Sequence, residues 1–225
     1  MTDPVKTPPR RRYHAPQRAE QAAATRRAVL EAARELFTAN GYTATTVGQV
    51  ADRAGVAVDT VYATVGRKPV LLREVFETAL SGQDVAVPAD ERDYVREVRA
   101  APTAGEKIAV YARALARIAP RTAPVQAAIR DAAAHDRVCG ALDSELADRR
   151  AANMRLFAAE LRATGELRPD LSDDDVADIV WGMASAEYYL LLVRRRGWTP
   201  HRYGEHLRDA WTRVLLADPT PGSAG

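Results

Sequence analysis

Cysteine is almost absent: Cys139 stands alone among 225 residues. One thiol excludes an internal disulfide framework and any zinc site that needs several cysteines, and it suits a cytoplasmic chain. Aromatic residues are few, with three Phe and three Trp. Of 32 basic residues only Lys6, Lys68 and Lys107 are lysine. No run approaches the ~18 apolar residues that would span a bilayer, so no membrane partner is expected. The opening MTDPVKTPPRRR has no apolar stretch behind its charges, so no secretory signal is expected either. Strand-like alternation of useful length and internal repeats are both missing. So are the signatures of common enzymes: no G-x-S-x-G, no phosphate-binding glycine loop, no H-E-x-x-H. The five serines and four histidines show no ordered spacing, and no catalytic residue or cofactor is expected. His135 and Cys139 are four apart, but two ligands do not make a metal site, so no metal is expected.

What is abundant is alanine, 44 residues of it, the best helix former. With 47% hydrophobic and 28% charged residues the chain reads as an ordinary globular, all-α protein. The net charge of +2 conceals an asymmetry. Residues 1–80 hold 12 Lys+Arg against 8 Asp+Glu, a balance of +4, and residues 81–225 hold 20 against 22, a balance of −2. A polyanion would meet the front of the chain.

Residues 1–20, with four prolines around Arg10, Arg11 and Arg12, read as a disordered basic arm that could enter a minor groove or touch phosphates. From Gln21 the pattern turns helical: Val29, Ala33, Leu36 and Phe37 recur at helical spacing as far as Asn40-Gly41, a C-terminal signal. Thr46 with Gln49 forms a capping box that opens a second helix, and Gly55 ends it. Val58 to Val65 makes a third, with Val61 and Val65 inward. Lys68-Pro69 opens a fourth. After a loop at 81–90, helices are predicted over 92–99, 104–119, 122–134, 137–163, 172–196 and 200–216. The tail at 218–225 reads as disordered.

Residues 46–68 are the informative unit: two short helices joined by a glycine turn, a helix-turn-helix that residues 25–39 can cover. The second helix of such a unit can lie in a major groove. Its exposed face carries Val58, Asp59, Thr60, Tyr62 and Thr64, groups small or polar enough to approach a duplex. Asp59 could accept from a cytosine amine, Val58 could meet a thymine methyl, and Tyr62 could reach a phosphate. Lys68, at a helix N-terminus, adds a phosphate clamp. The DNA-facing set is therefore Thr46, Val58, Asp59, Thr60, Tyr62, Thr64 and Lys68.

The stretch from Arg26 to Leu72 resembles the DNA-binding domain of TetR-type (tetracycline-repressor-like) bacterial regulators. Phe37 followed by Gly41-Tyr42, the Thr45-Thr46 helix start, Ala51, Ala54-Gly55-Val56, Tyr62 and Lys68 with Leu71 carry the resemblance. The chain departs from that pattern at Ala57, where a capping Ser or Thr is commoner, at Asp59, and at the small residues Ala63, Thr64 and Val65. The resemblance implies a homodimeric repressor of about nine helices that a small effector releases from DNA. The domains expected are a helix-turn-helix domain at 21–68 and a helical effector and dimerisation domain at 69–217. The implied partners are double-stranded DNA with a near-palindromic operator, a second copy of the chain and an unidentified small molecule.

A helix at 173–196 that is apolar on nearly all sides needs cover on all sides. The last helix repeats the case. A twofold four-helix interface follows as an expectation, carried by Val176, Val180, Met183, Leu190, Tyr203, Leu207, Trp211 and Val214. The alternative is one helix buried inside a monomer. Tyr111, Met154, Phe157, Trp181 and Tyr188 are candidates for an effector cavity, although residues at helical spacing also read as plain core. Arg150 and Asn153, beside that stripe, could be polar anchors or a solvated edge. Two rivals to a DNA-binding regulator remain. One is an enzyme in the helical domain, for which no acid–base pair is visible. The other is a helical effector-binding or interaction protein that has lost operator binding, for which Asp59 and the uncapped Ala57 are the hints.

Overall fold

The computed structural model describes residues 15–218, and Arg10, Arg11 and Arg12 of the basic arm and the tail from residue 219 lie outside them. Among the described residues ten α-helices follow one another: α1 Ala15–Asn40, α2 Val47–Ala54, α3 Val58–Thr64, α4 Lys68–Ser81, α5 Asp93–Ala100, α6 Ala104–Ala133, α7 Arg137–Arg162, α8 Asp173–Met183, α9 Ala186–Leu190 and α10 Pro200–Leu215. No strand forms among the described residues; Leu167 and Leu216 make one isolated bridge. No single helix among them is long and apolar enough to cross a membrane.

The long helices α6 and α7 each serve two cores. Their C-terminal and N-terminal halves respectively, through Val125, Ile129, Cys139 and Leu142, pack with Val29, Phe37, Val50, Val61 and Leu72 of α1 to α4. Their other halves, through Ile108, Tyr111, Phe157 and Leu161, pack with α5 and α8 to α10. Helices α1 to α4 therefore rest on the same two helices that form the second core.

Three expectations are corrected. First, α1 starts at Ala15, inside the segment read as a disordered arm. Pro16 falls in its first turn, where a missing N–H costs nothing, and the following alanines favour helix. Second, residues 104–133 form one helix although Pro120 and Pro124 lie within it. Each proline removes a donor, but burial of Ala119, Ala123 and Val125 on both sides holds the helix together. Third, the long helix expected to reach Arg196 breaks. Gly182 is exposed, and Ser185 N-caps α9 by accepting from the Tyr188 amide at 3.2 Å. A wide turn at Leu191–Arg195 then closes with the Arg196 amide on the Leu191 carbonyl at 3.1 Å.

The expected interface is corrected too. Val176, Val180, Tyr203, Leu207 and Trp211 are 0% exposed within the single chain, so no partner can touch them. They are the second core, and the monomer alternative holds for them. Met183 and Leu190 are half-buried and Val214 is exposed.

Helix α10 reaches α6 closely because residue 204 is glycine. A Cβ there would stand 2.9 Å from the Ala116 Cβ and 3.2 Å from the Ala112 carbonyl oxygen. Gly204→Ala is expected to lower stability by about 1–3 kcal/mol, since backbone of α6 must yield. A urea midpoint indistinguishable from that of the unchanged protein would show that the two helices separate freely.

Candidate nucleic-acid interface and ligand cavity

Helix α2 starts as its sequence dictates. The Thr46 hydroxyl accepts from the Gln49 amide at 3.1 Å, and the Gln49 side chain accepts from the Thr46 amide at 2.8 Å. Gly55 ends it at φ 68, a left-handed conformation that a side chain would strain. Helix α3 begins at Ala57 with no side-chain cap. Val61 is buried against the first core, which turns Val58, Asp59, Tyr62 and Ala63 outward, and Thr60 and Thr64 lie half-buried beside them. Tyr62 is 47% exposed. Thr46 is exposed, with its hydroxyl already engaged in the cap.

Lys68 does not project freely. Its ammonium sits 4.0 Å above the centre of the Tyr42 ring, and Tyr42 is buried against Phe37. Burial holds the Lys68 amine below the usual lysine range. Arg67, the residue just before α4, is exposed and was not among the expected DNA contacts. A second basic residue beside Lys68 at a helix start was the signal for it.

The second feature is a cavity of about 650 Å³, open to solvent on one side and lined mainly by α4, α5, α6 and α7. Tyr111, Met154 and Phe157 line it, as do Arg150 and Asn153. Trp181 and Tyr188 do not line it. Trp181 lies under the Arg150 guanidinium, 4.4 Å from its ring centre, and the Tyr188 hydroxyl meets His206 Nε2 at 2.6 Å. Trp181 sits on α8 ahead of the break, and Tyr188 on α9 beyond it. Phe76 and Leu80 of α4, Tyr94 of α5 and Leu115 of α6 complete the wall. Tyr111 and Leu115, four apart, showed one wall in the sequence; the α4 and α5 contributions depend on tertiary packing.

Helix α4 thus runs from the reading head to the cavity. It is tied to α7 by two ion pairs. Arg73 donates to both Glu145 oxygens, at 2.5 and 2.6 Å, and Arg149 meets Glu77 at 2.8 Å. The Glu77 side chain is only 10% exposed. Arg149→Met leaves that carboxylate without its guanidinium and is expected to cost about 1–3 kcal/mol in a denaturant titration. Adding Glu77→Gln should restore at least half of the loss, because the uncompensated charge goes with it. A double variant no better than the single one would place the cost in packing instead.

An exposed second helix in a glycine-turned pair, carried on a two-core helical body, defines a helix-turn-helix protein. The family model "Bacterial regulatory proteins, tetR family" matches residues 29–75. Among curated proteins no sequence match is found. Solved structures share the fold. A regulator from Saccharomonospora viridis in complex with choline superposes with a TM-score of 0.67 at 18% identity, over 86% of this chain and 98% of that one. The SmeT–triclosan complex gives 0.68 at 19% identity, over 90% and 97%. NalD, the secondary repressor of the MexAB-OprM multidrug efflux pump in Pseudomonas aeruginosa, gives 0.64 at 19% identity, over 90% and 100%. Residues 29–75 thus match the tetR-family model, and the chain shares the fold of these solved regulators, with a helix-turn-helix at its N-terminal end and a helical C-terminal domain.

Proposed function

We propose that the protein is a sequence-specific transcriptional repressor, acting in the cytoplasm as a homodimer and released from a near-palindromic operator by a small organic effector. It is not an enzyme. The observation that carries the reading is the path of α4, whose first residues adjoin α3 and whose Phe76 and Leu80 line the cavity. A molecule that prefers one placement of α4 changes the DNA affinity by as much as that preference, typically about 1–3 kcal/mol. The DNA-reading unit is the segment up to residue 68, with Val58, Asp59, Thr60 and Thr64 toward the groove and Thr46, Tyr62, Arg67 and Lys68 toward phosphates. Residues 69–217 hold the effector and the dimer contacts. Of the expected interface residues Met183, Leu190 and Val214 keep surface to offer, together with the exposed Leu191. In a dimer the two α3 helices read half-sites about 34–36 Å apart, or a multiple of that. The neighbours solved with choline and with triclosan support a cavity for small organic molecules.

The test is a gel-shift titration with DNA upstream of the protein's own gene, followed by selection from random DNA. Competitor-resistant binding to an inverted repeat, in a complex of two chains, is the expected result. Failure of both searches to return a site bound tenfold better than scrambled DNA overturns the reading. Changing Asp59 to Ala should alter base preference at one position; an unchanged preference removes Asp59 from direct readout.

A further inference from the structure

We propose that the cavity between α4 and α7 takes an organic anion with a flat aromatic body, its acidic group held by Arg150. The inference rests on the reading of that cavity as the effector site and adds the class of effector.

The aromatic part follows from the walls. Tyr94 and Tyr111 stack at 6.0 Å and 22°, and Tyr111 meets Phe157 at 4.8 Å. Rings packed this way offer faces and edges to another ring. Met154 fills the space beside them, its sulfur 3.5 Å from the Tyr111 hydroxyl.

The charge follows from which cation lacks a partner. Arg149 is neutralised by Glu77 at 2.8 Å. Glu160, on the same wall, faces the buried Lys107 at 3.2 Å. Arg92 gives its Nε to the Val87 carbonyl at 3.1 Å. Asp90 and Arg99 are exposed and of opposite sign. Among the described residues no carboxylate comes within ion-pair distance of Arg92, Arg99 or Arg150, but of the three only Arg150 has a buried Nε with no hydrogen-bond partner. One Nη donates to the Ala184 carbonyl at 3.0 Å, and the guanidinium plane rests on Trp181. Capping the end of α8 employs one of five donors and supplies only a partial negative charge. A guanidinium partly withdrawn from water without a counter-ion is costly, and burial lowers its proton affinity. An anion entering the cavity removes that cost and accepts the idle donors with charge-assisted bonds. A cation entering the same space meets an uncompensated like charge.

The experiment is calorimetric titration of the full-length protein, without DNA, against three probes of one shape: 2-naphthoate, the neutral 2-naphthamide and the cationic 2-naphthylmethylammonium. The carboxylate is expected to bind at least tenfold tighter than the amide, with the ammonium weakest. Arg150→Met should weaken the carboxylate about tenfold to a hundredfold and leave the amide within about threefold. If that variant unfolds for want of the Ala184 bond, the ranking on the unchanged protein still decides. An amide or ammonium that binds as well as the carboxylate overturns the proposal, and so does absence of binding by all three. Operator binding is read separately. Naphthoate bound without release of DNA upholds the anion site and overturns the effector role.

Discussion

Replacing Tyr62, Arg67 and Lys68 together by alanine is expected to lower operator affinity about 10²–10³-fold. Each loses a phosphate contact worth roughly 1 to 1.5 kcal/mol, and 1.4 kcal/mol is tenfold. Two of the three carry charge, so the slope of log affinity against log salt should fall by about 2. Tyr62 changes affinity and not the slope, because it releases no counterion. The single variants separate the roles. Arg67 is exposed and should behave as a plain electrostatic contact. Lys68 lies on the Tyr42 ring, so Lys68→Ala also removes a cation–π contact, worth about 0.5–2 kcal/mol of stability. Anisotropy titrations at several salt concentrations, with a melt of each variant, distinguish these effects. A triple variant that keeps both affinity and slope would remove α3 and the start of α4 from the DNA surface.

The reading head was legible because its signals are local. Thr46 and Gln49 are three apart and form the reciprocal cap that this spacing demands, and Gly55 takes the left-handed turn that ends α2. Val61 alone on α3 points inward, which fixes the outward face. The rest was less legible wherever tertiary packing overrode a local rule. Pro120 and Pro124 ought to split α6, yet each half is buried in a different core. Ser185 was a cap in plain view, but the apolar run from Val176 to Val193 concealed it. That run also misdirected the interface, since a helix covered on all sides by its own chain has the pattern of one covered by a partner. The cavity was half visible: Arg150, Met154 and Phe157 share one face of α7 by spacing, whereas the arrival of α4 and α5 across from them has no signature in either segment.

Trp211→Ala is expected to be the most destabilising single substitution, at about 3–5 kcal/mol. The side chain is fully buried and stacks on Tyr111 at 5.8 Å and 11°, so its removal opens a void directly behind one wall of the cavity. The ring of Tyr111 can then fall back, and the ligand site should lose its shape along with its stability. Trp211 belongs to the second core, stacked on Tyr111 of α6, and is not among the first-core residues that hold α1 to α4 together. DNA affinity of the protein that remains folded should therefore stay within about threefold. Trp211→Phe sharpens the argument. The indole N–H is buried and has no partner, a defect worth about 1–3 kcal/mol. Phenylalanine removes that donor and keeps the stacking plane, so the two terms oppose each other. It should cost less than about 1.5 kcal/mol, although the volume removed would by itself suggest more. Chemical denaturation of both variants gives the comparison. A phenylalanine variant as unstable as the alanine one would mean that the indole N–H is satisfied, and that packing around Trp211 contributes all of its stability.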